Sequence, residues 1–169
     1  VLYKHGGVYV DTDVEIIKSI EPLLSNEAFI GFENNNYVNS GQILASESGN
    51  TLILEMIERY KKEKFLTADG NMNLIGCPII NTEILVKNGL EKNGKKQLVK
   101  NMMVYPADYF NPLDSITGKL LKTNNTYSVH WYSQSWLPLH VRFRTKFVRL
   151  CHRAFGENCF QWLKRKGKD

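Results

Sequence analysis

Residues 5–15 read HGGVYVDTDVE. Val8, Val10, Thr12 and Val14 share one parity and Tyr9, Asp11, Asp13 and Glu15 the other. That period of two spells a strand with one apolar face. Carboxylates at the carboxyl end of a strand sit where α/β proteins hold their ligands. Side chains at i and i+2 of an ideal strand lie roughly 6.5 Å apart. Oxygen ligands of a divalent cation all lie within about 2.0–2.6 Å of it. Asp11 and Asp13 therefore cannot both bind one ion directly from an undistorted strand. Either the strand bends between them, or one aspartate binds directly and the other acts through water or a second ligand.

Three readings of the pair compete. The carboxylates can hold a cation that neutralises a nucleotide diphosphate. They can be the nucleophile and general acid of a haloacid-dehalogenase-type phosphatase, a reading weakened because no Asp-Asp or Gly-Asp-x-x-x-Asp follows downstream. They can also be an acidic edge strand without chemistry.

Outward from this stretch, short strands alternate with helices. IEPLLS (residues 20–25) reads as a helical turn or loop, and AFIGFE (28–33) as a buried strand. NNNYVNSG (34–41) reads as a polar loop, followed by a strand QILAS (42–46). Asn50 is placed to cap a helix whose apolar positions are Leu52, Ile53, Met56, Ile57 and Tyr60. The segment 67–80 reads as a loop with a Gly-Cys-Pro turn, and a short helix follows with Asn81 as its cap and Gly89 as its end. MMVYP (102–106) is a strand stopped by proline, and TYSVHW (126–131) delivers His130 at a strand end. The pattern is α/β with a mixed sheet.

At 169 residues, with 43% apolar and 23% charged side chains, the chain is long enough for one domain with a real core. No window approaches ~18 consecutive apolar residues, the length of a membrane-spanning helix. Cys77, Cys151 and Cys159 are odd in number and widely spaced. They make neither a disulfide framework nor a metal site, and read as buried free thiols of a reducing, cytoplasmic compartment.

The net charge of +5 is unevenly spread: residues 142–169 hold nine Lys and Arg against Glu157 and Asp169. Phe143, Phe147, Leu150 and Ala154 recur there at helical spacing. Two segments are expected: a catalytic domain over 1–140 and a basic amphipathic helical segment over 141–169. The segment is either a helix packed on the domain with a solvated basic face, or a peripheral contact with the inner face of a membrane. No nucleic-acid-binding motif accompanies the charge.

LYKHGGVYVDTDVE (2–15) resembles the DxD region of glycosyltransferase family 32. Three further stretches resemble that family in the same order: GFENNNYVNSGQILASESGN (31–50), IGCPIINTEIL (75–85, with Cys77 between Gly76 and Pro78) and SVHWYSQSW (128–136). The resemblance implies a GT-A fold and a metal-dependent, retaining sugar transfer from a UDP- or GDP-sugar to a glycan or lipid-linked acceptor, in bacterial surface-polysaccharide or capsule synthesis. It implies Mn²⁺, with Mg²⁺ as the alternative.

Residue by residue, it implies Asp13 as direct metal ligand, Asp11 as the ribose and metal partner, and His130 as a third ligand. Glu33 is expected as an acid near the sugar. Gly6, Gly7, Tyr9, Asn39, Ser40, Gly41, Trp131, Ser135 and Trp136 are expected around the donor and its diphosphate. A nucleotide-binding half is expected to precede the motif, so that a chain beginning at Val1 is N-terminally truncated. The alternative from another class is a non-catalytic fragment or sugar-binding module.

Overall fold

The computed structural model describes residues 1–67, 69–114, 116–133, 137–156, 159 and 160. Its centre is a long hairpin. β3 (Ala28–Asn34) returns through a turn at Asn35 and Asn36 into β4 (Tyr37–Ser46). β1 (Gly7–Tyr9) pairs with the outer edge of β4, while β6 (Met102–Tyr105) runs parallel to β3 and carries β5 (Gln97–Val99). The five-stranded sheet therefore has the order β1-β4-β3-β6-β5, with one parallel pair. A separate antiparallel pair joins β2 (Val14–Ile16) to β7 (Ser128–His130).

The continuous apolar run AFIGF has a structural cause: both faces of β3 are covered, so alternation gives way to an unbroken hydrophobic stretch. Ala28, Ile30 and Phe32 face a core completed by Leu52, Ile53, Met56, Ile84 and Leu85. Those residues come from α2 (Thr51–Lys61) and α3 (Cys77–Lys87). Phe29 faces the other way, into a largely aromatic cluster with Tyr105, Phe110 and Tyr127. Its ring stacks on Phe110 at 6.0 Å and meets the edge of Tyr105 at 6.1 Å. The result is α/β with a mixed sheet flanked by helices, consistent with a GT-A type fold.

Asn50 caps α2 as its sequence position implies, accepting from the amides of Leu52 at 2.9 Å and Ile53 at 3.3 Å. Replacing it by alanine orphans two amides that are buried in the core face. Asn50→Ala is expected to cost about 1 kcal/mol, a fall of roughly 2–4 °C in melting temperature for a domain of this size. Thermal unfolding followed by circular dichroism checks this.

Four expectations change. The stretch 5–15 is not one strand: β1 and β2 lie in different sheets, and Asp11–Asp13 is the turn between them. A short helix, α1 (Leu2–His5), also precedes β1. Residues 37–41 are not loop but the first half of β4, because 37–39 find partners in β3 that no local signal advertises. α3 starts at Cys77, with Gly76 at its cap and Pro78 in its first turn, where a missing N–H costs nothing. Asn81 consequently lies inside α3, 2% exposed, and donates to Ser40 Oγ at 2.9 Å rather than capping. The three cysteines are free but half-buried, not fully buried.

Candidate functional site

The aspartate turn is held from both sheets. After Tyr9 the chain leaves β1, and the Asp11 amide donates to the Gly41 carbonyl at 2.8 Å. The Val14 amide then donates back to the Asp11 carbonyl at 3.1 Å, closing the turn before β2 begins. Opposite, β7 places His130 against Val14, and the Trp131 amide donates to the Asp13 carbonyl at 3.0 Å. A strand end from late in the sequence is thus laid beside the aspartates.

The bend resolves the strand-spacing problem in favour of both aspartates approaching one point. One ligand atom each from Asp11, Asp13 and His130 lie within 4.8 Å of one another. His130 Nε2 is 3.2 Å from Asp13 Oδ1 and 4.0 Å from Asp11 Oδ2. Two donors on opposite sides of a small divalent ion are about 4.2 Å apart, so the cluster spans little more than one ion. Two carboxylate oxygens with an imidazole nitrogen suit Mn²⁺ better than Ca²⁺. His130 is 6% exposed, and its Nδ1 has no partner among the described residues.

Each ligand is oriented by neighbours. The Tyr9 hydroxyl donates to Asp11 Oδ1 at 2.7 Å, which leaves Oδ2 facing His130. That bond, followed by burial, pushes the Tyr9 pKa up to about 12. Asp13 Oδ2 accepts from the Ser133 amide at 2.8 Å and from its hydroxyl at 3.2 Å, leaving Oδ1 toward His130. Burial works to raise the Asp13 pKa, but the Ser133 amide and the charge on His130 outweigh it and hold the carboxyl below its usual value. The Tyr132 ring packs against the His130 ring, tilted by 33° with centroids 4.2 Å apart. Its hydroxyl donates to Glu33 Oε1 at 3.0 Å, and burial followed by that carboxylate raises its pKa.

Gly41 has a steric reason to be glycine. Pairing of β3 with β4 jumps from Ile30↔Leu44 to Gly31↔Asn39, so residues 40–43 bulge out of the ladder. Bulges re-aim backbone next to functional sites. Buried Gln42 secures this one by donating to the Gly31 carbonyl at 2.8 Å. A Cβ on Gly41 would collide with Asp11 Oδ2.

The other expected site residues are scattered. Asn39 is buried and accepts from the Gly41 amide at 2.7 Å, so it shapes the bulge. Ser40 is engaged by Asn81. Gly6 and Gly7, at φ 66° and 115°, turn the chain from α1 into β1 and line a groove of about 410 Å³ with Ser46, Glu47 and Ser48. Gly7 is four residues from Asp11, roughly 13 Å along an extended chain. Trp131 donates from its indole N–H to Glu15 at 2.9 Å and is half-exposed, so it is neither a core aromatic nor part of the cluster. Among the described residues Glu33 reaches the cluster through Tyr132, and it also lines a cavity of about 390 Å³ with Asn111 and Asp114. Ser135 and Trp136 lie outside the described residues.

Sequence reasoning missed Tyr132 and Ser133. They belong to the HWYS run immediately after His130, but Tyr132 adopts φ 49°, a conformation that no Gly or Asn announces.

No curated protein and no solved structure matches the chain. Residues 1–30 match the family described as the glycosyltransferase sugar-binding region containing DXD motif. The matched residues include Asp11-Thr12-Asp13, a DXD sequence, and the match supports a glycosyltransferase-like function.

Proposed function

We propose that this chain carries the catalytic centre of a metal-dependent, retaining glycosyltransferase. In this reading it transfers a sugar from a UDP- or GDP-sugar to a glycan or lipid-linked acceptor in surface-polysaccharide assembly, with residues 1–140 as the catalytic part. The observation that carries the proposal is the convergence of Asp11 and Asp13, from the turn between β1 and β2, and His130, from β7, on one point. These three side chains would hold the cation, Mn²⁺ first by its donor set. When bound, it supplies positive charge against the leaving diphosphate.

The chain's own residues do the rest. Tyr9 and Ser133 fix the outer oxygens of the two aspartates, so both ligands are set before substrate arrives. Such preorganisation costs no reorientation as charge develops. His130 is held by the Tyr132 ring, and Tyr132 ties it to Glu33. Glu33 then stands on the sugar side, as a carboxylate near the developing positive charge of the sugar ring. No enzymic nucleophile is assigned, and the leaving diphosphate takes the acceptor proton. Asn39, Ser40 and Gly41 support this wall from the bulge. The groove at Gly6 and Gly7 and the exposed Trp131 are further donor contacts in this reading, outside the metal cluster.

The test is release of nucleotide diphosphate by the full chain across a panel of UDP- and GDP-sugars, with Mn²⁺ or with chelator. Chelator-sensitive release from one donor is expected. Binding of a sugar nucleotide without turnover would favour the sugar-binding module, and inorganic phosphate from phosphomonoesters would favour the phosphatase.

A further inference from the structure

α4 (Leu139–Phe155) is amphipathic in the inverted sense. A helix on a globular domain ordinarily turns its apolar stripe to the core. Here Leu139, Phe143, Phe147 and Leu150 are 66%, 67%, 62% and 59% exposed. At about 3.6 residues per turn they share an arc of roughly 80°, with exposed Ala154 between them. The opposite side is half-buried and partly polar: Val141, Thr145, Val148 and Arg149. Arg153, although exposed, donates to the carbonyls of Thr117 at 3.2 Å and Gly118 at 2.9 Å. Arg149 lies near enough to Asp114 to contribute to its lowered pKa. The helix is therefore anchored partly by its cations and shows its hydrophobic residues to the outside. An outward apolar stripe of this kind marks an interaction surface.

Charge selects the occupant. Residues 139–155 contain no Asp or Glu, and exposed Arg144 and Lys146 flank the stripe on its two sides. A second copy would bring those cations against each other. An anionic phospholipid surface matches both features: acyl chains take the phenylalanine and leucine side chains, and headgroup phosphates take the flanking cations. Among the described residues, no helix is long and apolar enough to cross a membrane. α4, about 26 Å long, would lie in the interface plane. We propose that the outer face of α4 docks on an anionic phospholipid surface, through Phe143, Phe147 and Leu150 with Arg144 and Lys146 at its edges.

The proposal goes beyond the sugar-transfer reading and does not depend on it. Its test uses the full chain without donor or metal, so that either reading can fail alone. The probe is flotation with vesicles of phosphatidylcholine, alone or with 30% phosphatidylglycerol. Binding is expected on the anionic vesicles, weakened at least tenfold on neutral ones. It should also fall as salt shortens the Debye length from about 10 Å at 0.1 M. Phe143→Ser with Phe147→Ser should reduce binding at least tenfold with the melting temperature unchanged, because both side chains point outward. Arg144→Gln and Lys146→Gln should each reduce it about fivefold. Equal flotation on both vesicles, wild-type binding by the double phenylalanine variant, or no flotation would each overturn the proposal. So would a concentration-dependent dimer abolished by the double variant in place of vesicle binding.

Discussion

Asp13→Asn is expected to reduce Mn²⁺-dependent release of nucleotide diphosphate about a thousandfold while leaving the domain folded. Asparagine keeps the shape and one acceptor oxygen, so the hydrogen bond from the Ser133 amide can survive. What disappears is the negative charge and a ligand oxygen facing His130. Removing a single preorganised group from a site of developing charge costs about 10²–10³ in rate. Losing a ligand proposed to bind the ion directly sits at the upper end of that range. The side chain is largely covered but belongs to neither hydrophobic cluster, and asparagine keeps its size, so unfolding should be little changed. Initial rates across a Mn²⁺ titration, paired with thermal unfolding, check both halves. Activity within tenfold of wild type would remove Asp13 from the proposed metal centre.

Gly41→Ala should have the second-largest effect, and it tests a residue with no side chain to offer a ligand. The methyl group would occupy space now held by the Asp11 carboxylate. The Gly41 backbone cannot easily retreat. The Gly41 amide is held by Asn39 and its carbonyl by the Asp11 amide. The carboxylate must then swing away from His130 and lose the Tyr9 hydroxyl. Displacing a positioned group by about 1 Å can cost about 10²-fold, and overpacking costs typically 1–3 kcal/mol. A roughly hundredfold loss of rate, weaker Mn²⁺ dependence and a melting temperature lower by a few degrees are expected together. Wild-type kinetics would show that Asp11 has room to spare and that the bulge does not fix it.

The parts of the molecule legible in the sequence are those governed by local chemistry. Asn50 reads as a cap because asparagine before a helical apolar pattern satisfies amides wherever the helix packs. AFIGF reads as a buried strand because no other short element absorbs five apolar residues between polar flanks. Strand pairing is different. Nothing local tells residues 37–39 that β3 lies opposite, so an asparagine-rich stretch reads as loop. The Asp11–Asp13 turn is similarly hidden: its alternation is a strand's, and only the separate pairing of β1 and β2 breaks it. In the candidate site, residue type and resemblance single out Asp11, Asp13 and His130. Ser133 and Tyr132 were missed because their roles come from proximity to residues 120 and 99 positions away.

The division of labour between the two sheets has a mechanical consequence. Asp11 hangs from the five-stranded sheet through Gly41, whereas His130 lies in the two-stranded ribbon and Asp13 is tied to the ribbon's end through the Trp131 amide. The ribbon is short, three residues a side, and such a pair has little stability of its own. A cation shared by all three side chains would act as a clasp between a rigid slab and a hinged flap. Ion capture would then do two things with one set of bonds: arm the centre, and lock shut the element most prone to open.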